Sequence, residues 1–296
     1  VHGTNVEDGT LQGYLKTIGV PFVGCDVCAS AIGMDKSVTK AVLKQYDIPV
    51  LDCICTASKA FFDDTEAALD RVEKATAYPV IVKPLNLGSS VGITKAADRA
   101  ALRRAMEHAF SFAEVVLTEN AVGHLKEINC AVLGDIDEVI ASVCEEPVGS
   151  DDILSYADKY VGGGKGGAKT GAKTAGAKSS GMANLKRKIP AEIPEEVEKA
   201  VKDYSVRAFK AIGCAGVTRI DYLYNTESGE LYLNELNTIP GSLAYYLWEA
   251  SGVPFAELLD RLIKLAFKRA RKENELNFSF DSNILKGIKL QRGAKN

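Results

Sequence analysis

The spacing of apolar residues in the first half of the chain switches between a helical period and short β-branched runs. A helix is predicted over residues 10–18, another after a cap at Asp35, and two more over 65–77 and 97–112. The predicted extended segments are 20–23, 48–50, YPVIVKP, EVVLTEN, EINCAVLG and EVIASVCEE. The first half therefore predicts a sheet with covering helices.

The second half begins with a low-complexity run and then returns to periodic patterns. Residues 162–181, GGGKGGAKTGAKTAGAKSSG, hold eight glycines and four lysines and no large apolar residue. A broad apolar face then predicts a helix from Pro194 to Gly213, and PFAELLDRLIKLAFKRARK predicts a long amphipathic helix. Between them, GVTRIDYLYN and ELYLNELNTIPG indicate a β-hairpin. The whole pattern indicates an α/β or α+β enzyme.

Composition narrows the class of protein. Hydrophobic residues make up 46% and charged residues 25% of the 296 residues, as in globular domains, and no apolar run is long enough to span a bilayer. The formal charge of -3 gives no general attraction to nucleic acid. Seven scattered cysteines indicate reduced, cytosolic thiols, and the spacing of Cys25 and Cys28 is not taken as a thiolate metal site because no second pair follows.

The predicted hairpin carries the sharpest chemical signal. Arg219 and Asp221 stand two residues apart on one strand, and Glu235 and Asn237 repeat that spacing on the other, so each pair lies on one face. A solvated outer face would show the same pattern. Carboxylate and amide oxygens are also the ligands that magnesium selects when it holds phosphates, and an arginine suits a phosphoryl group or oxyanion.

Two other segments add a nucleotide hypothesis. In VIVKPLNLGSSVG, a strand delivers Lys83 just before a Gly/Ser turn whose N–H groups can lie over phosphate oxygens, although neither common nucleotide-loop motif is present. In HGTNVEDGTLQG, His2, Glu7 and Asp8 surround two glycines before a helix, where they could hold a substrate. A helix capped by Asp8 or Thr10 explains that second segment equally well.

Taken together, these segments resemble the D-alanine–D-alanine ligase family of the ATP-grasp superfamily, from His2 to about Phe267. The strings that carry the resemblance are HGTNVEDGTLQGYL, AIGMDKSVTK, VIVKPLNLGSSVG, GCAGVTRIDYL and YLNELNTIPGS. The resemblance implies an ATP-grasp fold with two α+β subdomains enclosing ATP. It predicts a remnant of the N-terminal domain in 1–24, a central subdomain in 25–124 and a C-terminal subdomain in 125–296, with a flexible active-site loop at about 150–184.

The resemblance also implies a role for particular residues. The implied catalytic residues are Glu7, Ser89, Tyr160, Arg219 and Gly241, with Glu7 anchoring the ammonium of the first D-alanine. The implied nucleotide-binding residues are Lys36, Lys83, Ser90, Glu119, Glu127 and Lys159. The implied ligands of two Mg²⁺ or Mn²⁺ ions are Asp221, Glu235 and Asn237, and His2 and Ser242 are additional substrate residues.

The implied reaction joins two D-alanines for peptidoglycan synthesis. ATP phosphorylates the carboxylate of the first, and the amine of the second attacks the acyl phosphate. The expected partners are ATP and D-alanine, with no nucleic acid and no membrane, in a cytoplasmic enzyme compatible with a homodimer. Two alternatives stay open: another ATP-grasp ligase, such as one forming D-alanyl-D-serine, and a catalytically impaired relative whose lysine-rich arm binds nucleic acid.

Three features differ from the family pattern. The usual N-terminal segment before HGT is missing, and the link between Gly241 and Trp248 is short. The run at 162–181 follows Lys159 and Tyr160, so it is interpreted as an enlarged active-site loop. Tyr160 in this position favours an amine nucleophile.

Overall fold

The structure is a computed structural model that describes residue 3 and residues 5–88, 91–148 and 187–276. The helices within these ranges are α1 Thr10–Thr17, α2 Val27–Met34, α3 Lys36–Gln45, α4 Ser58–Asp63, α5 Thr65–Ala75, α6 Arg99–Phe110, α7 Glu195–Ile212, α8 Tyr245–Ala250 and α9 Phe255–Asn274. The strands are β1 Cys53–Ala57, β2 Val80–Pro84, β3 Thr94–Ala96, β4 Val115–Asn120, β5 Leu125–Gly134, β6 Val139–Pro147, β7 Arg187–Lys188, β8 Gly216–Asn225 and β9 Leu231–Asn237. A 3₁₀ turn covers Gly241–Ala244.

The first sheet has the strand order β1-β4-β2-β3, with all neighbours antiparallel. Helices α5 and α6 present apolar faces to it, and their side chains form one core with those of β2 and β4. Asp64 and Asp98 accept hydrogen bonds from the first-turn N–H groups of α5 and α6, which fixes where each helix begins. This sheet and its two helices position Lys83 and Glu119 at one edge of the site.

The second sheet has the order β7-β6-β5-β8-β9, again antiparallel. One face is apolar and is covered by α2, α3 and α7, which form the largest core cluster with Ile128, Ile220 and Leu236. Gly33 in α2 permits a close approach to β9, because a Cβ there would lie 2.9 Å from Cγ2 of Thr238. The opposite face is divided between an apolar part under α8 and α9 and a polar part.

Most of the predicted elements are confirmed. Helices α1, α5, α6, α7 and α9, strands β2, β4, β5 and β6 and the β8–β9 hairpin all lie where the spacing of apolar residues places them. The strand expected at 20–23 is wrong, whereas the extended segment expected to begin at 48–50 leads into β1, which begins at Cys53. Val20 and Val23 are exposed, and within the described residues neither belongs to a strand. Their β-branched side chains therefore did not indicate a sheet here.

Two helices of the predicted central subdomain, 25–124, pack on the second sheet. These helices, α2 and α3, contribute to the core of that sheet and not to the core of the first. The division into domains stays a prediction. The active-site loop at about 150–184, the run at 162–181 and its alternative role as a nucleic-acid arm lie outside the described residues. In the described part of the chain, no helix has the length and apolar character required to cross a membrane.

Candidate functional site

A row of polar side chains crosses four neighbouring strands of the second sheet. Glu145 in β6 is the register partner of Asn129 in β5, Asn129 is that of Asp221 in β8, and Asp221 is that of Glu235 in β9. Directly opposed residues in adjacent strands point to the same face. The row therefore places three carboxylates and one amide side by side on the face that looks toward the first sheet.

Arg219 lies beside this row and is fixed in it. Its Nε and Nη2 donate to the two oxygens of Asp221 at 2.7 Å each, in the bidentate geometry that suits a guanidinium and a carboxylate. Burial acts to lower the pKa of Arg219, but Asp221 outweighs it and raises that pKa above its usual value. Asn237, the register partner of Arg219, donates from Nδ2 to Asp221 Oδ2 at 3.1 Å. The predicted pairing of the two strands is thus observed.

A bulge in β9 brings one more side chain to this face. Asp221 opposes Glu235 and Tyr222 opposes Leu233, so Asn234 is an extra residue on β9. Leu233 and Leu236 are buried in the core, whereas Asn234 and Glu235 are both half-buried on the polar side. Asn234 Oδ1 accepts a hydrogen bond from Lys83 Nζ at 3.1 Å. The bulge therefore links the second sheet to the strand that delivers Lys83.

Three buried lysines converge where the two sheets meet. Glu119 accepts from Lys83 Nζ at Oε1 and from Lys40 Nζ at Oε2, both at 2.5 Å, and Lys40 also donates to the carbonyl of Leu51 at 2.9 Å. Lys36 Nζ donates to the carbonyl of Leu87 at 2.7 Å, in the segment after β2. All three lysines are at most 6% exposed. They bridge α3 and β9 on one side to β2 and β4 on the other.

Burial and charge act in opposite directions on these groups. Burial alone would raise the pKa of Glu119, but Lys83 and Lys40 outweigh it and hold that pKa below its ordinary value. Burial lowers the pKa of Lys36, and Glu235 opposes that shift. Burial likewise lowers the pKa of Lys40, against the effect of Glu119. A buried ammonium is costly in this way unless anions surround it, so the cluster is suited to an anionic ligand.

The other predicted residues are distributed around this region. Glu7 lies near the Gly/Ser turn, because a Cβ at Gly88 would be 3.9 Å from Glu7 Oε2. Glu127 lies two residues before Asn129, on the same face of β5. Gly241 opens the 3₁₀ turn that follows β9, with exposed Ser242 next to it. His2, Ser89, Ser90, Lys159 and Tyr160 lie outside the described residues.

A second polar cluster occupies the β6 end of the row. Glu145 Oε1 accepts from Asn129 Nδ2 and from the hydroxyl of Tyr246, both at 2.9 Å, and Oε2 accepts from Arg187 Nη1 at 3.3 Å. The guanidinium of Arg187 also stacks over the Tyr246 ring, 4.0 Å from its centroid. Burial, with Glu145, raises the pKa of Tyr246, so the phenol stays protonated as a donor.

The donor set on β8 and β9 fits a divalent cation that is shared with phosphates. Asp221, Glu235 and Asn237 supply two carboxylates and one amide, hard oxygen ligands on adjacent strands. Within the described residues, no three His, Cys, Asp or Glu side chains are grouped as a ready metal cage.

Comparison with known proteins identifies the family. The family model described as "D-ala D-ala ligase C-terminus" matches residues 42–264. The chain is 39% identical over 273 residues to the D-alanine–D-alanine ligase of Acetivibrio thermocellus, covering 91% of this chain and 67% of that protein. It is 37% identical over 283 residues to the enzyme of the same name from Thermosipho africanus, covering 96% and 71%. The chain belongs to the D-alanine–D-alanine ligase family.

Solved structures of family members agree on the fold. The D-alanine–D-alanine ligase from Coxiella burnetii superimposes with a TM-score of 0.72 at 29% identity, over 93% of this chain and 68% of that one. The D-Ala:D-Ser ligase VanG from Enterococcus faecalis gives the same TM-score at 34% identity, over 90% and 71%. The predicted ATP-grasp fold is thereby confirmed. Because these two ligases differ in product, similarity of fold does not decide the second substrate.

Sequence reasoning missed several site residues in this family member. Lys40 follows Lys36 by four residues, on the same face of α3, and that spacing was a usable signal. Asn234 was hidden, since strict alternation places it on the opposite face from Glu235 and only a bulge reverses this. The missed residues of the β6 end are Asn129, Glu145 and Arg187. They come from three separate strands, which no local motif connects.

Proposed function

We propose that this chain is an ATP-dependent ligase that joins two molecules of D-alanine through an acyl phosphate intermediate. The observation that carries the proposal is the buried cluster of Lys36, Lys40 and Lys83 facing the Asp221–Glu235 row across the gap between the sheets. Buried ammonium groups on one side and hard oxygen ligands on the other are what a polyphosphate with Mg²⁺ requires.

The chain's own residues divide this work between them. Lys36 and Lys83 would bind phosphate oxygens, and Glu119 and Glu127 would bind the nucleoside. Asp221, Glu235 and Asn237 would hold Mg²⁺, which when bound neutralises phosphate charge and aligns the phosphoryl group. Arg219, kept cationic by Asp221, would stabilise the charge on the acyl phosphate and on the tetrahedral intermediate.

The donor D-alanine would be held on the other side of Arg219 from the adenine. Glu7, next to the Gly88 turn, would accept the donor ammonium, and Gly241 with Ser242 would line the cavity. This arrangement brings the donor carboxylate to the phosphate end of the nucleotide. Positioning of this kind is the main contribution a protein makes to phosphoryl transfer.

A second product is the competing hypothesis within the same chemistry. The match to the D-Ala:D-Ser ligase is as good in TM-score as that to the D-Ala–D-Ala ligase, and higher in identity. D-alanyl-D-serine formation would use the same nucleotide and metal residues. Mass analysis of the dipeptides formed from an equal mixture of D-alanine and D-serine distinguishes the two products.

The test of the proposal is magnesium-dependent ADP release with D-alanine. Replacing Glu235 by Gln removes a charged ligand while keeping the shape of the side chain. We expect turnover to fall by more than the ~10–100-fold that loss of an outer-shell partner causes. ADP release coupled to a reporter enzyme, with D-alanyl-D-alanine detected by mass, gives the measurement.

The control is Glu230→Gln, an exposed carboxylate immediately before the same strand. It should leave ADP release unchanged. Equal activity of wild type and Glu235→Gln would refute the ligand assignment, and absence of D-alanine-dependent ADP release in the wild type would refute the proposed function itself.

A further inference from the structure

Two cysteines share one face of an edge strand. Cys53 and Cys55 stand two residues apart in β1, the outermost strand of the first sheet, and neither is in a disulfide. Residues two apart in a strand point to the same face and lie about 6.6 Å from each other. Cys53 is half-buried and Cys55 is exposed. Four other cysteines are buried, so the thiols within reach of solvent are this pair and Cys28.

The register of the first sheet places the pair on the side of the lysine cluster. Cys53 is the register partner of Glu119, the carboxylate that is ion-paired with two buried lysines. Directly opposed residues point to the same face, with Cβ atoms about 4.5–5.5 Å apart. Ile54, between the two cysteines, points the other way and packs on the core under α5 and α6. The two thiols therefore lie on the face of the sheet that carries Glu119.

Lys40 closes this corner from the side of α3. Its Nζ donates to Glu119, directly opposite Cys53, and to the carbonyl of Leu51, two residues before Cys53. A hydrogen bond with Cys55 lowers the pKa of Cys53 to about 6, and Lys40 acts in the same direction, while burial opposes both. The same hydrogen bond raises the pKa of Cys55, so that thiol stays protonated as the donor. A half-buried thiolate next to a cation is the usual setting of a reactive cysteine.

We propose that Cys53 is a thiol modification site, at which a small disulfide such as glutathione disulfide forms a mixed disulfide beside the nucleotide site. The Cys53 thiolate attacks one sulfur of the small disulfide, whose S–S bond breaks as the new S–S bond forms. The released half leaves as a thiolate and takes a proton from water, so Cys53 is oxidised and the released half is reduced. The chemistry at sulfur is independent of the proposed function. Its effect on the nucleotide rests on that function, through the role given to Glu119.

The spacing of the pair favours a mixed disulfide over a bridge between Cys53 and Cys55. A separation of about 6.6 Å is at the upper end of the Cα range for disulfides. A disulfide also brings the two Cβ atoms to about 3.5–4.5 Å, whereas the side chains of an extended strand stand parallel. Because β1 is paired with β4 over its whole length, its backbone is not free to bend. Cys55 therefore serves as a hydrogen-bond donor to Cys53 and not as its bonding partner.

An adduct at Cys53 enters the space next to Glu119. The side chains of opposed residues begin about 4.5–5.5 Å apart, so the first atoms of the attached group lie against that carboxylate. In the proposed function Glu119 binds the nucleoside. A bound nucleotide should therefore cover Cys53 and slow its reaction, whereas it should not affect Cys28 in α2.

The test treats the reduced full chain with glutathione disulfide and locates the adducts by fragmentation mass spectrometry. We expect one glutathione on Cys53, released by dithiothreitol and formed more slowly with saturating Mg²⁺ and ADP. Cys55→Ala removes the donor, so the rate at Cys53 at pH 6 should fall by about tenfold, because the thiolate fraction falls more than its nucleophilicity rises. Cys55→Ser keeps a hydroxyl donor and should restore much of that rate.

The matched control is Cys28→Ser, which removes the other exposed thiol. It should leave the rate at Cys53 unchanged, whereas Cys53→Ser should abolish the adduct on the peptide of β1. Glutathione on Cys28 or Cys55 with none on Cys53 would overturn the proposal. Loss of two hydrogens from that peptide, which would mean a bridge between Cys53 and Cys55, would overturn it as well.

The outcomes separate this inference from the proposed function. An adduct that forms equally fast with and without Mg²⁺ and ADP, in a chain that releases ADP with D-alanine, would show that Cys53 does not border the nucleotide site. If the wild type neither binds ADP nor releases it with D-alanine, the proposed function fails, and the modification of Cys53 is still decided by mass alone.

Discussion

At the scale of single residues, Glu119 is the group on which the lysine cluster depends. It is 1% exposed and is ion-paired with both Lys40 and Lys83. Replacing it by Gln leaves two buried ammonium groups without their carboxylate, and breaking a buried pair in this way costs ~3–5 kcal/mol. We expect the free energy of unfolding of Glu119→Gln at pH 7, measured in urea, to fall by that order.

The contribution of Glu119 to the free energy of unfolding should depend on pH. Because the folded state lowers the pKa of Glu119 from its ordinary value of 4.5, its pairing stabilises the protein above that pH and is lost as the pH falls below it. Wild type should lose stability below about pH 5 more steeply than Glu119→Gln. Glu66→Gln, which removes an exposed carboxylate, is the control, and it should lower the free energy of unfolding at pH 7 far less than Glu119→Gln. Parallel pH curves for wild type and Glu119→Gln would contradict the assignment.

At the scale of elements, the β5–β6 turn depends on a glycine. Gly134 has φ of +149°, and a Cβ there would lie 1.9 Å from the carbonyl oxygen of Glu138. Since that oxygen belongs to backbone, the turn must shift to accept a side chain, and β5 carries Asn129 and Glu127 of the site. Gly134→Ala should destabilise the protein by ~1–3 kcal/mol or more in urea unfolding. Gly123→Ala, with open space around it, should change stability far less.

The elements also show why part of the site was predictable and part was not. Arg219, Asp221, Glu235 and Asn237 belong to one hairpin, so local spacing was enough to place them together. Asn234 escaped because a bulge breaks the two-residue period. Val20 to Val23 were wrongly assigned to a strand, since β-branched residues favour a strand only where another strand pairs with them.

At the scale of the whole molecule, the site depends on how two separate cores are joined. The first sheet and the second sheet each have their own apolar cluster, and the described polar links between them run through Lys36, Lys40, Glu119, Lys83 and Asn234. The apolar period predicts each core well because it is a local property. The contact between the cores is set by the complete tertiary arrangement, and for that reason Lys40 and the cluster around Glu145 were not anticipated.

Joining two cores through charged groups predicts how the nucleotide affects stability. When ADP binds with Mg²⁺, its phosphates should contact lysines from both halves of the molecule. At 100 times its Kd, ADP should therefore raise the free energy of unfolding by ~2.7 kcal/mol, which is measured as a higher Tm. Adenosine has no phosphates and should give a much smaller shift at the same concentration. In Lys36→Met, which retains the apolar stem of the lysine without its charge, the ADP shift should shrink while any adenosine shift persists. Equal shifts with ADP and adenosine would mean that the buried lysines serve only to hold the two halves together.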